Sequence, residues 1–451
     1  MTEFEKSGKP RFQIDTSEER PQDRAIVIVP VLGQNAVAHT PNASIALARR
    51  SDASRLEEAI GLASAIELDI VHSGLIPLNK VKPATLIGGG KVDELKGIIA
   101  ALNARLVVVA HPLTPLQQPN LAKEWDAKVI DRTGLILEIF GARAQTKEGR
   151  LQVELAHLNY QKGRLVRSWT HLERQRGGVS TVGGPGETQI ESDRRQLQAR
   201  VNSLERDLEK VRRTRNLHRA QRKKVPHPIV ALVGYTNAGK STLFNHITGS
   251  AVLAKDMLFA TLDPTLRRLE LPEGTLVILS DTVGFVSDLP THLVAAFRAT
   301  LEEVIEADLI LHVRDIADPD TQAQAEDVYN ILAQLGIGED GHRNVLEVWN
   351  KIDLLDSEAL EAIRSTRNDD GLLLSAITGE GTPELLKVVE DHIAASDTLL
   401  EFDLSLDAMG QLNWIYQNTN VLERQDKDDG TLHLKVRVPG SAREALLGRV
   451  V

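Results

Sequence analysis

Cysteine is absent from this chain of 451 residues. Disulfides, thiolate nucleophiles and cysteine-ligated zinc sites are therefore excluded, and a reducing compartment is indicated. No uncharged apolar run approaches the length that spans a bilayer, and residues 1–24 lack the apolar core of a signal peptide. These absences predict a soluble, cytoplasmic protein with no membrane span. The length is sufficient for about three domains.

Positive charge is scarce outside one part of the chain. The net charge is −10, yet residues 143–224 hold 20 lysines and arginines against nine aspartates and glutamates. A basic segment within an acidic protein is typical of a localised contact with a polyanion. A solvated helical face would have the same composition, so charge alone leaves both interpretations open.

Short β-branched runs alternate with helical patterns after residues 1–24, which we expect to be disordered. Strands are predicted at 25–29, 69–71, 106–109 and 128–130, with helices at 54–68 and 92–102. This alternation predicts a parallel α/β domain over residues 25–146. Residues 88–91 (Gly-Gly-Gly-Lys), between a short strand and a helix, form either a tight turn or a phosphate-binding turn.

Long helices are predicted from Lys147 onward. Apolar residues keep a four-three rhythm at Leu151, Leu155, Leu158 and Leu165, and again at Leu197, Val201, Leu204, Leu208 and Val211. Two such helices form an antiparallel hairpin with one buried seam and an arginine-rich exterior. The sequence therefore predicts a basic helical hairpin over residues 147–225.

The segment between these helices, residues 174–188, contains five glycines and a proline. We expect it to have no regular structure. A glycine-rich tip on a basic stalk suits RNA, which is recognised through its shape and phosphates. The RNA-contact candidates are Arg174, Arg176, Arg194 and Arg195. The alternative interpretation is a flexible linker between two helices.

Residues 234–241 match the phosphate-binding pattern G-x-x-x-x-G-K-[ST], between a strand predicted at 229–233 and a helix predicted at 242–247. Its glycines allow successive N–H groups to face phosphates, Lys240 reaches the β- and γ-phosphate oxygens, and the Ser241 hydroxyl ligates Mg²⁺. The predicted GTP-binding residues of this loop are Gly234, Tyr235, Thr236, Asn237, Ala238, Gly239, Lys240 and Ser241.

Two switch motifs follow in the order expected of a small GTPase. Residues 259–265 occupy the place of switch I, where the Thr261 hydroxyl, favoured over that of Thr265, would ligate Mg²⁺. After a strand predicted at 276–280, Asp281 would hold a Mg²⁺-bound water and the Gly284 N–H would sense the γ-phosphate. The predicted GTP contacts here are Phe259, Ala260, Thr261, Leu262, Asp263, Asp281, Thr282, Val283 and Gly284. The predicted catalytic residues are Lys240, Ser241, Thr261 and Gly284, with Ser241 and Thr261 as the Mg²⁺ ligands.

The last two motifs select the base. The Asp353 carboxylate accepts two hydrogen bonds from guanine N1–H and N2–H₂, a donor pair that adenine does not offer. Asn350 would brace this loop, Lys351 would lie along the base plane, and Ile352 completes the motif. A strand predicted at 372–376 would present the N–H groups of Ser375 and Ala376 to guanine O6, with Ile377 beside them. Together the motifs predict an enzyme that hydrolyses GTP with Mg²⁺.

Phe285 occupies the position where Ras-type enzymes have the glutamine that orients the attacking water. A phenyl ring cannot orient water, so we expect intrinsic hydrolysis to be slow and to depend on an additional activator. One candidate activator is K⁺, for which the side-chain oxygen of Asn237 is the candidate ligand, as in potassium-activated GTPases with asparagine at this position. The other is a macromolecular partner that orders the switches.

The motifs together identify a family resemblance. Residues 234–241, 259–265 and 281–286, with the upstream Gly-Pro-Gly-Glu-Thr-Gln at 184–189, resemble the HflX family of translation-associated GTPases. The resemblance covers roughly residues 25–400. It implies a cytoplasmic protein, expected to be a monomer, that binds the large (50S) ribosomal subunit and its rRNA. It also implies that the hairpin points toward the peptidyl-transferase region and that stalled ribosomes are split or rescued, notably under heat stress.

The predicted fold class is multidomain α/β. The N-terminal α/β domain and helical hairpin precede a P-loop Ras-like GTPase domain at 226–397 and a small α+β domain at 398–451, in which Leu432, Leu434, Val436 and Val438 alternate with polar residues. Two alternative functions remain open at this stage. One is an RNA-modification GTPase, whose thiol version is disfavoured by the absence of cysteine. The other is a nucleotide-regulated interaction protein that does not act on RNA.

Overall fold

The computed structural model describes residues 24–32, 50–175, 185–222, 227–250, 258–259, 261–262, 264–287, 298–337, 344–366, 371–395, 398–427, 430–438 and 440–450. The predicted disordered tail, apart from Arg24, lies outside the described residues. The chain forms two compact units, Met1–His39 with Leu56–Leu135, and Thr40–Arg55 with Ile136–Val451. The domain boundaries predicted at residues 146, 225 and 397 remain predictions.

A parallel four-stranded sheet forms the centre of the first unit. Its strands are β1 (Arg24–Leu32), β2 (Asp69–Leu78), β3 (Leu106–Val109) and β4 (Lys128–Asp131), in the order β2-β1-β3-β4. The helices of this part of the chain are α1 (Asp52–Ser64), α2 (Gly89–Ala101), α3 (Gln117–Trp125) and α4 (Arg132–Arg143). Ile26, Val107 and Leu121 are fully buried in the core. The predicted parallel α/β fold is confirmed.

Three local predictions in this region were wrong. Helix α1 ends at Ser64 rather than at residue 68, because Glu67 adopts a left-handed conformation with φ of 61°. Strand β2 continues well past residue 71, to Leu78. The strand predicted before residues 88–91 is only an isolated bridge between Lys82 and Leu86. Gly88 is the N-cap residue of α2 and residues 89–91 begin the helix, where the Lys91 ammonium pairs with Glu94 at 2.6 Å.

The predicted helical hairpin consists of α5 (Lys147–Gln175) and α6 (Pro185–Arg222). Its helices are antiparallel, since Glu154 pairs with Arg200 whereas the later Lys162 contacts the earlier Gln198. On α6 the predicted seam residues Val201, Leu204 and Leu208 are buried. On α5 the buried apolar residues are Val153 and Ala156, and the predicted Leu151, Leu155 and Leu158 are half-buried. The most buried face of α5 is therefore not the one that its leucine pattern predicts.

Both ends of the segment that was predicted to be irregular are helical instead. Helix α5 extends through Gln175, and α6 begins at Pro185. Proline is favoured in the first helical turn because the N–H that it lacks would have no intrahelical partner there. Residues 176–184, including Arg176, lie outside the described residues, as does the side chain of Arg174.

A six-stranded sheet follows the hairpin. Its strands are β5 (Ile229–Val233), β6 (Thr265–Glu270), β7 (Leu276–Asp281), β8 (Leu309–Asp315), β9 (Val345–Asn350) and β10 (Gly371–Leu373). The order is β10-β9-β8-β5-β7-β6, with β6 antiparallel and the others parallel. The helices are α7 (Lys240–Thr248), α8 (Arg298–Ile305), α9 (Thr321–Gln334), α10 (Ser357–Thr366) and α11 (Thr382–Ala395). Strand β10 ends before the predicted residue 376, because Thr378 N–H donates to Ser375 Oγ and Gly379 N–H to the Ser375 carbonyl, which turns the chain.

A small antiparallel sheet closes the chain. It contains β11 (Thr398–Leu404), β12 (Asn420–Asp426) and β13 (Leu432–Val438) in the order β11-β13-β12, with α12 (Leu412–Asn418) and α13 (Gly440–Val450). Residues in β13 alternate strictly between buried and half-buried, as the sequence predicts. Within the part of the chain that the structure describes, no helix has the length and apolar character needed to cross a membrane.

Candidate functional site

The predicted motifs meet at one edge of the six-stranded sheet. Strands β5, β7 and β9 are parallel and each leads into a motif, so their carboxyl ends bring the loops together. Asn350 at the end of β9 donates from Nδ2 to the Ala238 carbonyl at 2.8 Å, and so braces the phosphate-binding loop, a contact that the sequence did not predict. Gly239, with φ of 95°, lies so close to Asn350 that a Cβ atom there would overlap the amide nitrogen. Only glycine fits this position.

Lys240 is anchored beneath the phosphate-binding loop. Its ammonium donates to the carbonyl oxygens of Gly234 at 3.0 Å and Tyr235 at 2.7 Å, and the side chain is buried. Burial lowers the Lys240 pKa to about 8, and the nearby Asp281 carboxylate opposes this shift. The loop thus holds the Lys240 ammonium at the place where it can bind the oxygens of a phosphate.

Three side chains form an oxygen cluster beside this lysine. Ser241 Oγ and Thr261 Oγ1 donate to Asp281 Oδ2 at 2.7 and 2.8 Å, and the two hydroxyl oxygens are 2.9 Å apart. Burial raises the Asp281 pKa, and hydrogen bonds from the two hydroxyls oppose the rise. Asp281 Oδ1 is buried and has no hydrogen-bond partner among the described residues. Thr265 is instead paired with Asp281 in the β6–β7 ladder, so Thr261 is the threonine at the cluster.

This cluster fits Mg²⁺, which prefers hard oxygen ligands and is commonly held by one or two protein groups together with substrate phosphates. Ser241 and Thr261 are the residues that would hold the ion, with Asp281 fixing both hydroxyls. When bound, Mg²⁺ neutralises charge that develops on the phosphate oxygens.

The segment after Asp281 is hydrogen-bonded to the phosphate-binding loop. Thr236 N–H donates to the Phe285 carbonyl at 2.7 Å, and Phe285 N–H donates to the Gly234 carbonyl at 3.0 Å. Thr282 Oγ1 donates to the Leu232 carbonyl at 2.6 Å. The Phe285 ring is buried, so this side chain has no means of orienting an attacking water.

Two predicted GTP contacts in switch I, Phe259 and Leu262, have buried side chains. The Phe259 ring packs edge-on against Phe140 of α4, with 4.8 Å between the ring centroids. The contact of Phe259 and Leu262 with GTP stays a prediction. Ala260 and Asp263 lie outside the described residues.

The base-recognition loops lie close together. Asp353 is exposed, and the Lys351 ammonium pairs with Asp315 at 2.7 Å. Ser375 N–H donates to the Glu380 carbonyl at 3.0 Å and would have to exchange this partner for guanine O6. Ala376 N–H donates to Asn350 Oδ1 at 2.9 Å and would have to exchange this partner for the base. Ile377 is largely exposed.

Sequence reasoning missed several residues around the site. Asp315 holds Lys351, Phe140 supports switch I, and Arg50 contacts Tyr235. None of them belongs to a recognisable motif. Asp315 is the last residue of strand β8, and the end of a central strand is a weak signal for a site residue. Phe140 and Arg50 have no such signal, because their roles depend on partners that are distant along the chain.

A buried histidine lies behind the site on strand β8. His312 is 1% exposed, its Nδ1 is 3.9 Å from Glu347 Oε1, and its ring packs edge-on against Tyr329. Burial lowers the His312 pKa to about 4; the carboxylate of Glu347 opposes the shift, and the charges of Arg314 and Lys240 add to it.

This histidine makes stability depend on pH. Its folded pKa lies below the value of about 6.5 in the unfolded chain, so the unfolded state binds the proton first as pH falls from 6.5 to 4. We expect urea unfolding of the wild type to lose about 2 kcal/mol more between pH 7.5 and pH 5 than unfolding of His312→Gln does. Parallel stability profiles for the two proteins would contradict this.

The sheet order and the loops at its carboxyl edge are those of a P-loop GTPase, an enzyme that hydrolyses GTP. Family models match most of the chain: "GTP-binding GTPase N-terminal" at residues 53–141, "GTP-binding GTPase Middle Region" at 143–222, "50S ribosome-binding GTPase" at 229–351 and "HflX C-terminal domain" at 361–450. The chain belongs to the HflX family of GTPases.

Proteins named GTPase HflX are similar in sequence to this chain over most of their length. The chain is 48% identical over 395 residues to GTPase HflX of Magnetococcus marinus, covering 88% of this chain and 89% of the relative. It is 45% identical over 361 residues to GTPase HflX of Escherichia coli, covering 79% and 83%. Among solved structures, a GDP complex of a GTP-binding protein from Sulfolobus solfataricus has 21% identity and a TM-score of 0.43, and the match covers 82% of this chain and 98% of that one. With a TM-score this low, the likeness carries no functional information.

Proposed function

We propose that this GTPase acts in the cytoplasm on the large ribosomal subunit. Its hairpin α5–α6 contacts ribosomal RNA, and GTP binding and hydrolysis time the splitting or rescue of stalled ribosomes, including those formed under heat stress. The match to a family model described as a 50S ribosome-binding GTPase supports the partner. The basic composition of residues 143–224 supports RNA as the surface contacted.

The observation that carries the proposal is the contact between Phe140 and Phe259. Phe140 lies in α4, which ends at Arg143 shortly before α5 begins at Lys147. Phe259 lies in switch I, two residues before Thr261 of the oxygen cluster. A partner that moves the hairpin therefore has a packed route to the switch, and packed side chains transmit displacement because they leave little empty space.

The test measures GTP hydrolysis with and without purified large ribosomal subunits. We expect strong stimulation of the wild type, and loss of most of it when residues 174–188 are replaced by a short linker. Arg194→Glu/Arg195→Glu should have the same effect, because both side chains are exposed and would face phosphates. Basal hydrolysis should remain unchanged in both variants.

The matched control is Arg213→Glu, an exposed arginine on the same helix. It lies roughly 28 Å from Arg194 at a helical rise of about 1.5 Å per residue, and we expect it to retain stimulation. Equal stimulation of all variants would contradict the role of the tip. If large subunits do not stimulate the wild type, the proposal that the ribosome is the partner is wrong, and the partner of this GTPase is not identified.

We also propose that K⁺ supports hydrolysis through Asn237. This residue is exposed at the tip of the phosphate-binding loop, with φ of 63°. Its side-chain oxygen is a hard ligand, the type of atom that binds hard cations. We expect hydrolysis to be several-fold faster in K⁺ than in Na⁺ of equal ionic strength, and Asn237→Ala to remove the difference. Equal rates of the wild type in the two salts would contradict this proposal.

A further inference from the structure

Arg50 contacts the GTPase site, although it lies outside every GTPase motif of the sequence. It belongs to the same compact unit as the six-stranded sheet, although the residues Met1–His39 before it and Leu56–Leu135 after it form the other unit. Its side chain is only 6% exposed. A buried guanidinium is costly unless it is paired and hydrogen-bonded, so its surroundings indicate what it does.

The Arg50 guanidinium connects two loops of the site. Its Nη1 donates to the Tyr235 hydroxyl at 2.8 Å and to Ser287 Oγ at 3.3 Å, and its Cζ lies over the Tyr235 ring at 5.2 Å from the centroid. Asp320 supplies the counter-charge, with Oδ2 3.8 Å from Nε, and the same oxygen accepts Ser51 N–H at 3.2 Å. Tyr235 lies in the phosphate-binding loop, and Ser287 lies three residues after Gly284 of the second switch.

The Tyr235 hydroxyl completes this connection. It accepts the Ser287 N–H at 3.0 Å and donates to Ser287 Oγ at 3.2 Å. Together with the backbone pair between Phe285 and the loop, these bonds hold the chain on the far side of Gly284. Gly284 itself is held close to Lys240, since a Cβ atom on it would lie 3.1 Å from the ammonium nitrogen. The chain that directly follows Gly284, whose N–H is the predicted sensor of the γ-phosphate, is therefore bound to the phosphate-binding loop.

We propose that Arg50 is a positioning residue for GTP hydrolysis, clamping Tyr235 to Ser287 so that Gly284 stays against Lys240. The clamp acts on the γ-phosphate end of the site. The base loops at Asp353 lie outside it. Within the phosphate-binding loop the clamp uses only the Tyr235 hydroxyl, so its loss leaves the loop backbone and Lys240, which retain GDP, in the site. Loss of the clamp should consequently slow the chemical step and leave GDP affinity almost unchanged.

The experiment compares full-length variants in single-turnover GTP hydrolysis and in titrations with fluorescent GDP, without ribosomes. We expect Arg50→Met and Tyr235→Phe each to lower the hydrolysis rate about tenfold, with the Kd for GDP within about twofold of the wild type. The double variant should be no more than about twofold slower than the slower single variant, because both remove one connection. Arg50→Lys keeps the charge facing Asp320 but lacks the planar fork, and should recover less than half of the lost rate.

The control is Arg424→Met, which removes a half-exposed arginine paired with Asp426 on β12 and should leave both quantities unchanged. Thermal unfolding of each variant reports whether the fold is kept. An unchanged hydrolysis rate in Arg50→Met overturns the proposal. So does a parallel loss of rate and GDP affinity, which would mean that Arg50 supports the whole site. Full multiplicativity in the double variant also overturns it, because Arg50 and Tyr235 would then act independently. The partner proposed above plays no part in these outcomes.

Discussion

Asp353→Asn is expected to lower GTP affinity by at least about 100-fold and to give the protein a preference for xanthosine triphosphate. The carboxylate accepts hydrogen bonds from both N1–H and N2–H₂ of guanine. An asparagine amide places its own NH₂ group against the guanine amino group, so two donors meet and neither is satisfied. Xanthine has a carbonyl where guanine has its amino group, and this carbonyl accepts a hydrogen bond from the asparagine NH₂.

The measurement is the Kd for fluorescent GDP and for its xanthine analogue. Asp353 is exposed on the short helical turn Ile352–Leu354, so its substitution should leave the fold intact. The matched control is Asp356→Asn, three residues further on, where the side chain accepts the Ala359 N–H at the start of α10. Asparagine is as good a helix cap as aspartate, and guanine preference should persist. If Asp353→Asn binds GDP like the wild type, Asp353 does not recognise the base.

Gly284→Ala is expected to lower GTP hydrolysis about 100-fold while GDP affinity stays within about threefold. A Cβ atom at this position would lie 2.9 Å from Thr236 Cγ2, 3.0 Å from Thr236 Cα and 3.1 Å from Lys240 Nζ. Because the backbone of the phosphate-binding loop is held by its own hydrogen bonds, the second switch has to move away instead. The Gly284 N–H then no longer reaches the γ-phosphate, whereas GDP has no phosphate at that place.

Single-turnover hydrolysis and GDP titration measure the two quantities separately. Gly97→Ala is the control, since this glycine lies within α2 with no atom near its added methyl group, and alanine favours the helix. A variant Gly284→Ala that hydrolyses GTP at the wild-type rate would show that the second switch tolerates the displacement. A variant that also loses GDP would show that the phosphate-binding loop had moved with it.

Much of the site was predictable because each motif is a short stretch whose chemistry depends on local backbone. The loop around Lys240 requires glycines at fixed spacing, and Asp281 and Asn350 directly end buried strands, so the edge where they meet follows from the topology of a parallel sheet. The choice of Thr261 over Thr265 also agrees with the oxygen cluster. The parallel α/β sheet and the alternation in β13 followed from period-two and β-branched patterns.

The contacts that the sequence did not predict have one physical cause. Several possible partners compete for each group, and the spacing of residues along the chain does not show which partner lies closest. Leucines on α5 suggested one buried face, but Val153 and Ala156 are buried and Leu151, Leu155 and Leu158 are only half-buried. The Ser375 N–H, a predicted donor to the base, is bound by the Glu380 carbonyl. The Phe259 ring packs against Phe140, a partner that its motif does not indicate. Each outcome depends on which neighbour comes closer in three dimensions.

The sequence by itself determined the enzyme class, the base it selects and the order of strands and helices, because these depend on residue types at short spacings. Only the tertiary structure decided how the site is held together. Arg50 and Tyr235 are 185 residues apart in the chain, and their hydrogen bond exists because folding brings two distant segments to one loop. Neither residue is informative without the other, and no pattern along the chain pairs them.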